Sequence, residues 1–228
     1  MLENRVADLL EAPDAKLVIE RAQAILADEA VRCRSFREWL RDDVKAEFIN
    51  GEVIMHSPVK RRHLDATQNL LTLLRVYVHL HDLGAVDSEK ALVGLTRNDY
   101  EPDICYWNHE TASSFEDDQM EHPAPDLIAE VLSETTTGRD RATSVGDIKF
   151  EDYAAHGVRE YWIIDPVRKS VEQYSLDEAT MAFASVATLY IDDTLAALTV
   201  TGFQIPVRAI FDKQCTMETL KELMARTA

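Results

Sequence analysis

The chain reads as an α/β protein in which a mixed sheet carries helices on its faces, and three observations point there. Two mostly apolar runs of strand length, Leu127–Leu132 and Tyr161–Asp165, fit strands covered on both faces. A long stretch from His63 to Leu83 keeps Leu70, Leu71, Leu74, Tyr77, Val78 and His81 at helical spacing. Along the chain the patterns run helix, strands, long helix, strands, helix, strands, an order that suits a mixed sheet flanked by helices.

The elements follow from local chemistry. The first 35 residues read as helical, with Val6, Leu9, Leu10, Leu17, Val18, Ile25 and Leu26 spaced accordingly and a break near Pro13. Ser35 is expected to cap a short helix holding Phe36, Trp39 and Leu40. The segment from Glu47 to Met55 predicts a hairpin, because Asn50-Gly51 is a strong two-residue turn signal, and Ser57-Pro58 closes it. Gly84 is expected to stop the long helix. Ala91–Leu95 and Asp103–Trp107 read as strands, and Asn108–Pro125 as an acidic, irregular loop. A Thr-rich loop from Ser133 to Gly138 precedes a helix over Val145–Ala155. Strands are expected at Ser170–Leu176, Ala184–Tyr190 and Leu198–Ile205, and a closing helix over Thr216–Arg226. The resulting organisation is an N-terminal helical extension (1–35), a main domain (36–212) and a C-terminal helix (213–228).

Composition bounds the function. With 228 residues and 46% hydrophobic content, the chain can bury a real core. The charged N-terminal stretch lacks the apolar run of a signal peptide, and no window approaches a membrane helix, so a cytoplasmic protein is expected. Cys33, Cys105 and Cys215 lie far apart, which argues against a disulfide framework and a cysteine zinc site. The net charge of −17 weakens the case for generic DNA binding, which needs a basic face. That charge is uneven: Asn98–Gly138 holds eleven acidic residues and no Lys or Arg, so it carries −11 of the −17. Basic residues cluster elsewhere, as Lys60-Arg61-Arg62, Arg139 with Arg141, and Arg168-Lys169.

Three side chains carry the chemistry. Glu130 is a lone carboxylate in the run Leu127–Leu132, costly there unless paired, protonated or bound to a cation. Asp103 opens a neighbouring strand after Pro102, and two such carboxylates suit a hard cation such as magnesium. Lys149 shares a helical face with Tyr153 and His156, and a lysine aimed at the site could orient water or offset phosphate charge. The same spacing also fits a strand-opening Asp103, a Glu130 neutralised by a core arginine and a solvated Lys149. His63, opening the long helix, could touch a phosphate or hold a local hydrogen bond. Lys60, Arg61 and Arg62 are the best phosphate contacts, with helix N–H groups beside them, or else a solvated turn. His79 and His81 face different sides of a helix, and His109 and His122 lack tight metal spacing. No Walker loop, GxGxxG or GxSxG elbow occurs.

An ordered set of motifs adds a family. Pro102-Asp103-Ile104 comes first, then Ala124-Pro125-Asp126-Leu127 leading to Glu130-Val131-Leu132-Ser133. Lys149 four before Tyr153 follows, then Gly157 through Pro166. Upstream, Glu47 to Glu52 and Ser57-Pro58 followed by His63 fit the same pattern. Over Phe36–Phe211 the chain resembles the Uma family of restriction endonuclease-like proteins, within the PD-(D/E)XK nuclease superfamily. The resemblance implies a restriction endonuclease-like core that uses Mg2+ or Mn2+ to hydrolyse DNA phosphodiester bonds. Asp103 and Glu130 match its acidic positions; the Val131 backbone carbonyl is expected to help them hold the metal. Leu132 stands where the usual lysine would, and Lys149 takes that role from the next helix. Glu47 matches an N-terminal acidic residue near the same site. The connection Glu134–Gly146 is longer than the pattern, and Asp140 and Asp147 compete for secondary roles. The rival reading is an inactive, homodimeric interaction or regulatory module; a smaller phosphate-containing substrate is a third.

Overall fold

The computed structural model describes residues 2–41, 43–133 and 148–225. The helices are α1 (Leu2–Glu11), α2 (Ala15–Trp39), α3 (Arg61–Leu80), α4 (His109–Ala112), α5 (Ile148–Ala155), α6 (Arg208–Phe211) and α7 (Lys213–Ala225). The strands of the first half are β1 (Ala46–Ile49), β2 (Glu52–Met55), β3 (Gly84–Asp87), β4 (Leu92–Gly94), β5 (Asp99–Tyr100) and β6 (Ile104–Asn108). Those of the second half are β7 (Glu121–His122), β8 (Leu127–Val131), β9 (Glu160–Asp165), β10 (Ser170–Asp177), β11 (Ala182–Leu189), β12 (Thr194–Ala196) and β13 (Gln204–Pro206). They group into two compact units, residues 1–56 with 94–100, and residues 57–93 with 101–228. Among the described residues no helix is long and apolar enough to cross a membrane.

In the first unit the hairpin β1–β2 turns on Asn50 (φ 51) and Gly51 (φ 82). Both residues need positive φ in a type I′ turn, which is why Asn-Gly stands there. β1 also pairs with β5, Phe48 opposite Asp99. Two two-pronged guanidinium–carboxylate contacts tie α2 down. Arg97 donates to Glu29 at 2.8 and 3.0 Å, and Arg37 donates to Asp99 at 2.6 and 2.7 Å. The Arg97 hydrogen bond holds the Glu29 carboxyl below its ordinary value. Ser35 opens no separate helix: α2 runs on to Trp39, because Phe36 is buried and packs on Phe48 at 5.8 Å.

The second unit is built on a six-stranded sheet in the order β11-β10-β9-β8-β6-β3. β8 and β9 are parallel, and the other pairs are antiparallel, so the sheet is mixed as expected. One face, with Ile104, Tyr106, Leu127, Ala129, Val131 and Trp162, packs with Leu70, Leu73, Leu74 and Tyr77 of α3. The other face meets α5. There Phe150 contacts Tyr174 and Phe183 with ring centroids 5.0 Å apart, and Tyr153 lies 5.6 Å from Tyr161. A parallel pair needs a long crossover, and α5 lies in the connection between β8 and β9.

Three expectations are corrected here. The long helix ends at Leu80, and Gly84 instead opens β3 with φ 137. An added Cβ there would lie 2.0 Å from the Trp107 carbonyl oxygen, so only glycine lets β3 approach β6. The acidic segment after Asn108 contains α4 and β7, and Glu116, Asp117 and Asp118 are exposed. Leu198–Ile205 is not one strand: β12 and β13 form a hairpin, Leu195 opposite Ile205. The cause is Glu160, whose Oε2 accepts from the Leu198 and Thr199 backbone N–H groups at 2.9 Å each and takes the donors a strand ladder would use. The expected helix is described from Ile148, while Glu134–Asp147, with Arg139, Asp140 and Arg141, lie outside the described residues.

Gly84→Ala should lower stability by about 3 kcal/mol or more, read as a drop in the urea midpoint, because both φ and the Trp107 contact are violated. An unchanged midpoint would contradict this packing.

Candidate active site

The site lies in the second unit and follows from strand register. Ile104 stands opposite Ala129 and Cys105 opposite Ile128. One step further along the antiparallel pair, Asp103 faces Glu130. Alternation then places Asp103, Cys105, Ile128 and Glu130 on the face that α5 covers. Lys149 and Tyr153, four apart on α5, look onto that face together.

The distances agree with that placement. Lys149 Nζ donates to Glu130 Oε1 at 2.9 Å, and the Tyr153 hydroxyl donates to the same oxygen at 3.2 Å. The Asp103 N–H reaches Glu130 Oε2 at 3.4 Å. Val131 N–H donates to Asp103 Oδ2 at 2.8 Å, and His63 Nε2 lies 3.5 Å from Asp103 Oδ1. Asp103, Glu130, Lys149 and His63 are 4–6% exposed. The structure therefore brings together Asp103, Glu130, Lys149 and His63. Tyr153 joins them, a role the helical spacing alone did not assign.

Cys105, on the same face, senses the field. Burial pushes its thiol well above its ordinary value, and the charges of Glu130, Asp87 and Asp103 push the same way against Lys149.

The donor set fits magnesium or manganese better than zinc. Among the described residues no three His, Cys, Asp or Glu side chains form a ready-made metal group. Magnesium does not need one, since it takes one or two carboxylates and completes its shell with water and substrate. In a strand the N–H and C=O of one residue point to the same edge. The Val131 carbonyl thus faces the side on which its N–H meets Asp103.

The other expected residues fall in different places. Glu47 lies in the first unit with its side chain buried and its Oε2 3.2 Å from His56 Nε2. Lys60, Arg62 and His63 line a cleft of about 210 Å³ together with Ser133, Asp165 and Arg168. Arg61 turns away to Asp65 on the surface, at 3.0 Å. Arg168 is a cleft residue to which the sequence pattern assigned no role; its signal was its place in the turn after Asp165-Pro166. His122 sits among aromatics, 5.3 Å from Trp107 and 5.0 Å from Phe115.

A mixed sheet with two acidic strands side by side and helices on both faces is the architecture of restriction endonuclease-like nucleases. The chain belongs to the Uma2 family, whose model is described as "Putative restriction endonuclease" and matches residues 33–208. Its fold is similar to a crystal structure of a putative nuclease from Anabaena variabilis, with a TM-score of 0.62 and 16% identity. That match covers 79% of this chain and 96% of the other. No curated protein matches the chain.

Iodoacetamide at pH 8 should leave Cys105 unlabelled in the native protein and label it once urea is added, as read by peptide mass spectrometry. A native thiol held protonated above pH 9 also makes stability fall as pH rises past that value, since the unfolded chain releases a proton the folded one keeps. Native labelling at pH 8 would contradict the burial and charge around this thiol.

Proposed function

We propose that the chain is a magnesium- or manganese-dependent endonuclease that hydrolyses DNA phosphodiester bonds. The observation that carries this reading is the buried group formed by Asp103, Glu130 and Lys149, with Lys149 Nζ 2.9 Å from Glu130. Asp103 and Glu130, with the Val131 carbonyl, would hold the ion. When bound, the ion lowers the pKa of water and polarises the phosphate.

The protein's own groups do the rest. Tyr153 and Lys149 both donate to Glu130 Oε1, which fixes the carboxylate and leaves Oε2 turned toward the Asp103 backbone. Val131 N–H holds Asp103 Oδ2 in the same way. Lys149 also supplies the positive charge that orients the attacking water and offsets charge growing on the phosphate oxygens. The new bond joins water oxygen to phosphorus as the bond to the leaving oxygen breaks; the water sheds one proton to solvent and the leaving oxygen takes one up from solvent. Membership of a family whose model is described as "Putative restriction endonuclease" supports DNA as the substrate.

A second reading is favoured by the net charge of −17 and the exposed Glu116, Asp117 and Asp118. Here the fold is a homodimeric interaction or regulatory module, in which Lys149 merely neutralises Glu130. Calorimetry with manganese separates the two: millimolar ion that releases no heat favours the module.

Asp103→Ala and Glu130→Gln should each abolish manganese-dependent cleavage of plasmid DNA while leaving the circular dichroism spectrum unchanged. Lys149→Met should lower the rate by roughly 10²–10⁴-fold. Cleavage that survives in a purified Asp103→Ala/Glu130→Gln double variant would sink the assignment.

A further inference from the structure

We infer that the cleft lined by Lys60, Arg62 and Arg168 is a subsite for a second phosphate of a polynucleotide strand, flanking the phosphodiester held at Asp103 and Glu130. The inference rests on the nuclease reading above and deepens it. It begins from a local inversion of charge. In a chain of net charge −17, the described residues that line this cleft include three cationic side chains and one carboxylate, Asp165.

The cations come from two distant stretches of chain. Lys60 and Arg62 stand at the start of α3, and Arg168 comes from the turn between β9 and β10. That turn is locked: Asp165 Oδ1 accepts from the Val167 and Arg168 backbone N–H groups, each at 2.9 Å. Arg168 is thereby presented at a fixed place. Its own pairing does not explain it, because its Nε lies 3.8 Å from Asp165 Oδ2, beyond hydrogen-bond range, and the side chain is 68% exposed. Such a pair contributes little to stability.

The cleft and the acidic pair share one residue. His63 belongs to its wall and also sets its Nε2 3.5 Å from Asp103 Oδ1. At about 210 Å³ the space is smaller than an ordinary drug-sized pocket. A strand whose reacting phosphate sits at Asp103 would therefore place a neighbouring phosphate among the three cations. Guanidinium groups suit this task through their planar fork of donors. Arg61, adjacent in sequence, is the internal control: it pairs with Asp65 and does not line the cleft.

The test is anisotropy of a short labelled single-stranded DNA with the full chain in EDTA, where no cleavage occurs. Arg62→Ala and Arg168→Ala should each weaken binding about tenfold and flatten its salt dependence, while Arg61→Ala should bind as the parent does. Binding by Arg168→Ala equal to the parent, or an equal loss in Arg61→Ala, would overturn the subsite. Hydrolysis of bis(4-nitrophenyl) phosphate with manganese separates the two readings, because that ester has no flanking phosphate. If Arg168→Ala loses as much on this ester as on an oligonucleotide, the subsite fails and the nuclease reading stands. If the parent hydrolyses neither substrate while Arg62→Ala and Arg168→Ala still weaken binding, the nuclease reading fails and the phosphate cleft stands.

Discussion

The second unit is organised around one awkward requirement, a carboxylate placed inside a core strand. Glu130 sits among Leu127, Ile128, Ala129, Val131 and Leu132, all buried. Removing one partner of a buried ion pair costs about 3–5 kcal/mol, because the other charge is left uncompensated. α5 must therefore deliver Lys149 and Tyr153 to that spot. Once α5 lies there, its remaining ring, Phe150, meets Tyr161, Tyr174 and Phe183. The aromatic cluster that fastens the helix and the group that answers Glu130 are consequences of one docking. A charge that destabilises the sheet in isolation thus helps to define where the helix sits.

The first unit meets a similar cost differently. Glu29 and Asp99 are nearly inaccessible, and each is answered by the fork of one arginine. At Glu130 the partners include an ammonium, a phenol and the Asp103 N–H, and at Asp103 they include a backbone N–H and an imidazole. A guanidinium fork fastens a carboxylate through one partner, whereas the acidic pair is held by backbone and side-chain groups of several kinds.

Much of this was legible from residue patterns, and the misses share a cause. Leu127–Leu132 and Tyr161–Asp165 announced themselves because so short and so apolar a run, rich in branched and aromatic side chains, suits a strand buried on both faces. Asn50-Gly51 did so because few dipeptides tolerate two positive φ values. The convergence of Asp103, Glu130 and Lys149 follows from strand alternation and motif order; the placement of Tyr153 and Arg168 does not. Tyr153 meets Glu130 through a contact that depends on how α5 is rotated on the sheet, and Arg168 reaches the cleft through the aim of a turn. Neither is encoded by spacing within one element. Gly84 and Leu198–Ile205 depart from their local patterns for the same reason. The glycine answers to the Trp107 carbonyl across a strand pair, and the Leu198–Thr199 backbone answers to Glu160. In each case a partner remote in sequence decided the local conformation.

Glu160 carries a last implication. Its two oxygens accept from Trp162, Gln173, Leu198, Thr199 and the Thr199 hydroxyl, at 2.7–2.9 Å. Most of those donors come from chain beyond β11. A protein shortened before Leu198 would keep every residue of the acidic pocket yet strand a fully enclosed anion on the strand next to it. The C-terminal stretch is thus no detachable trimming: the minimal functional piece of this molecule extends well past its last chemically interesting side chain.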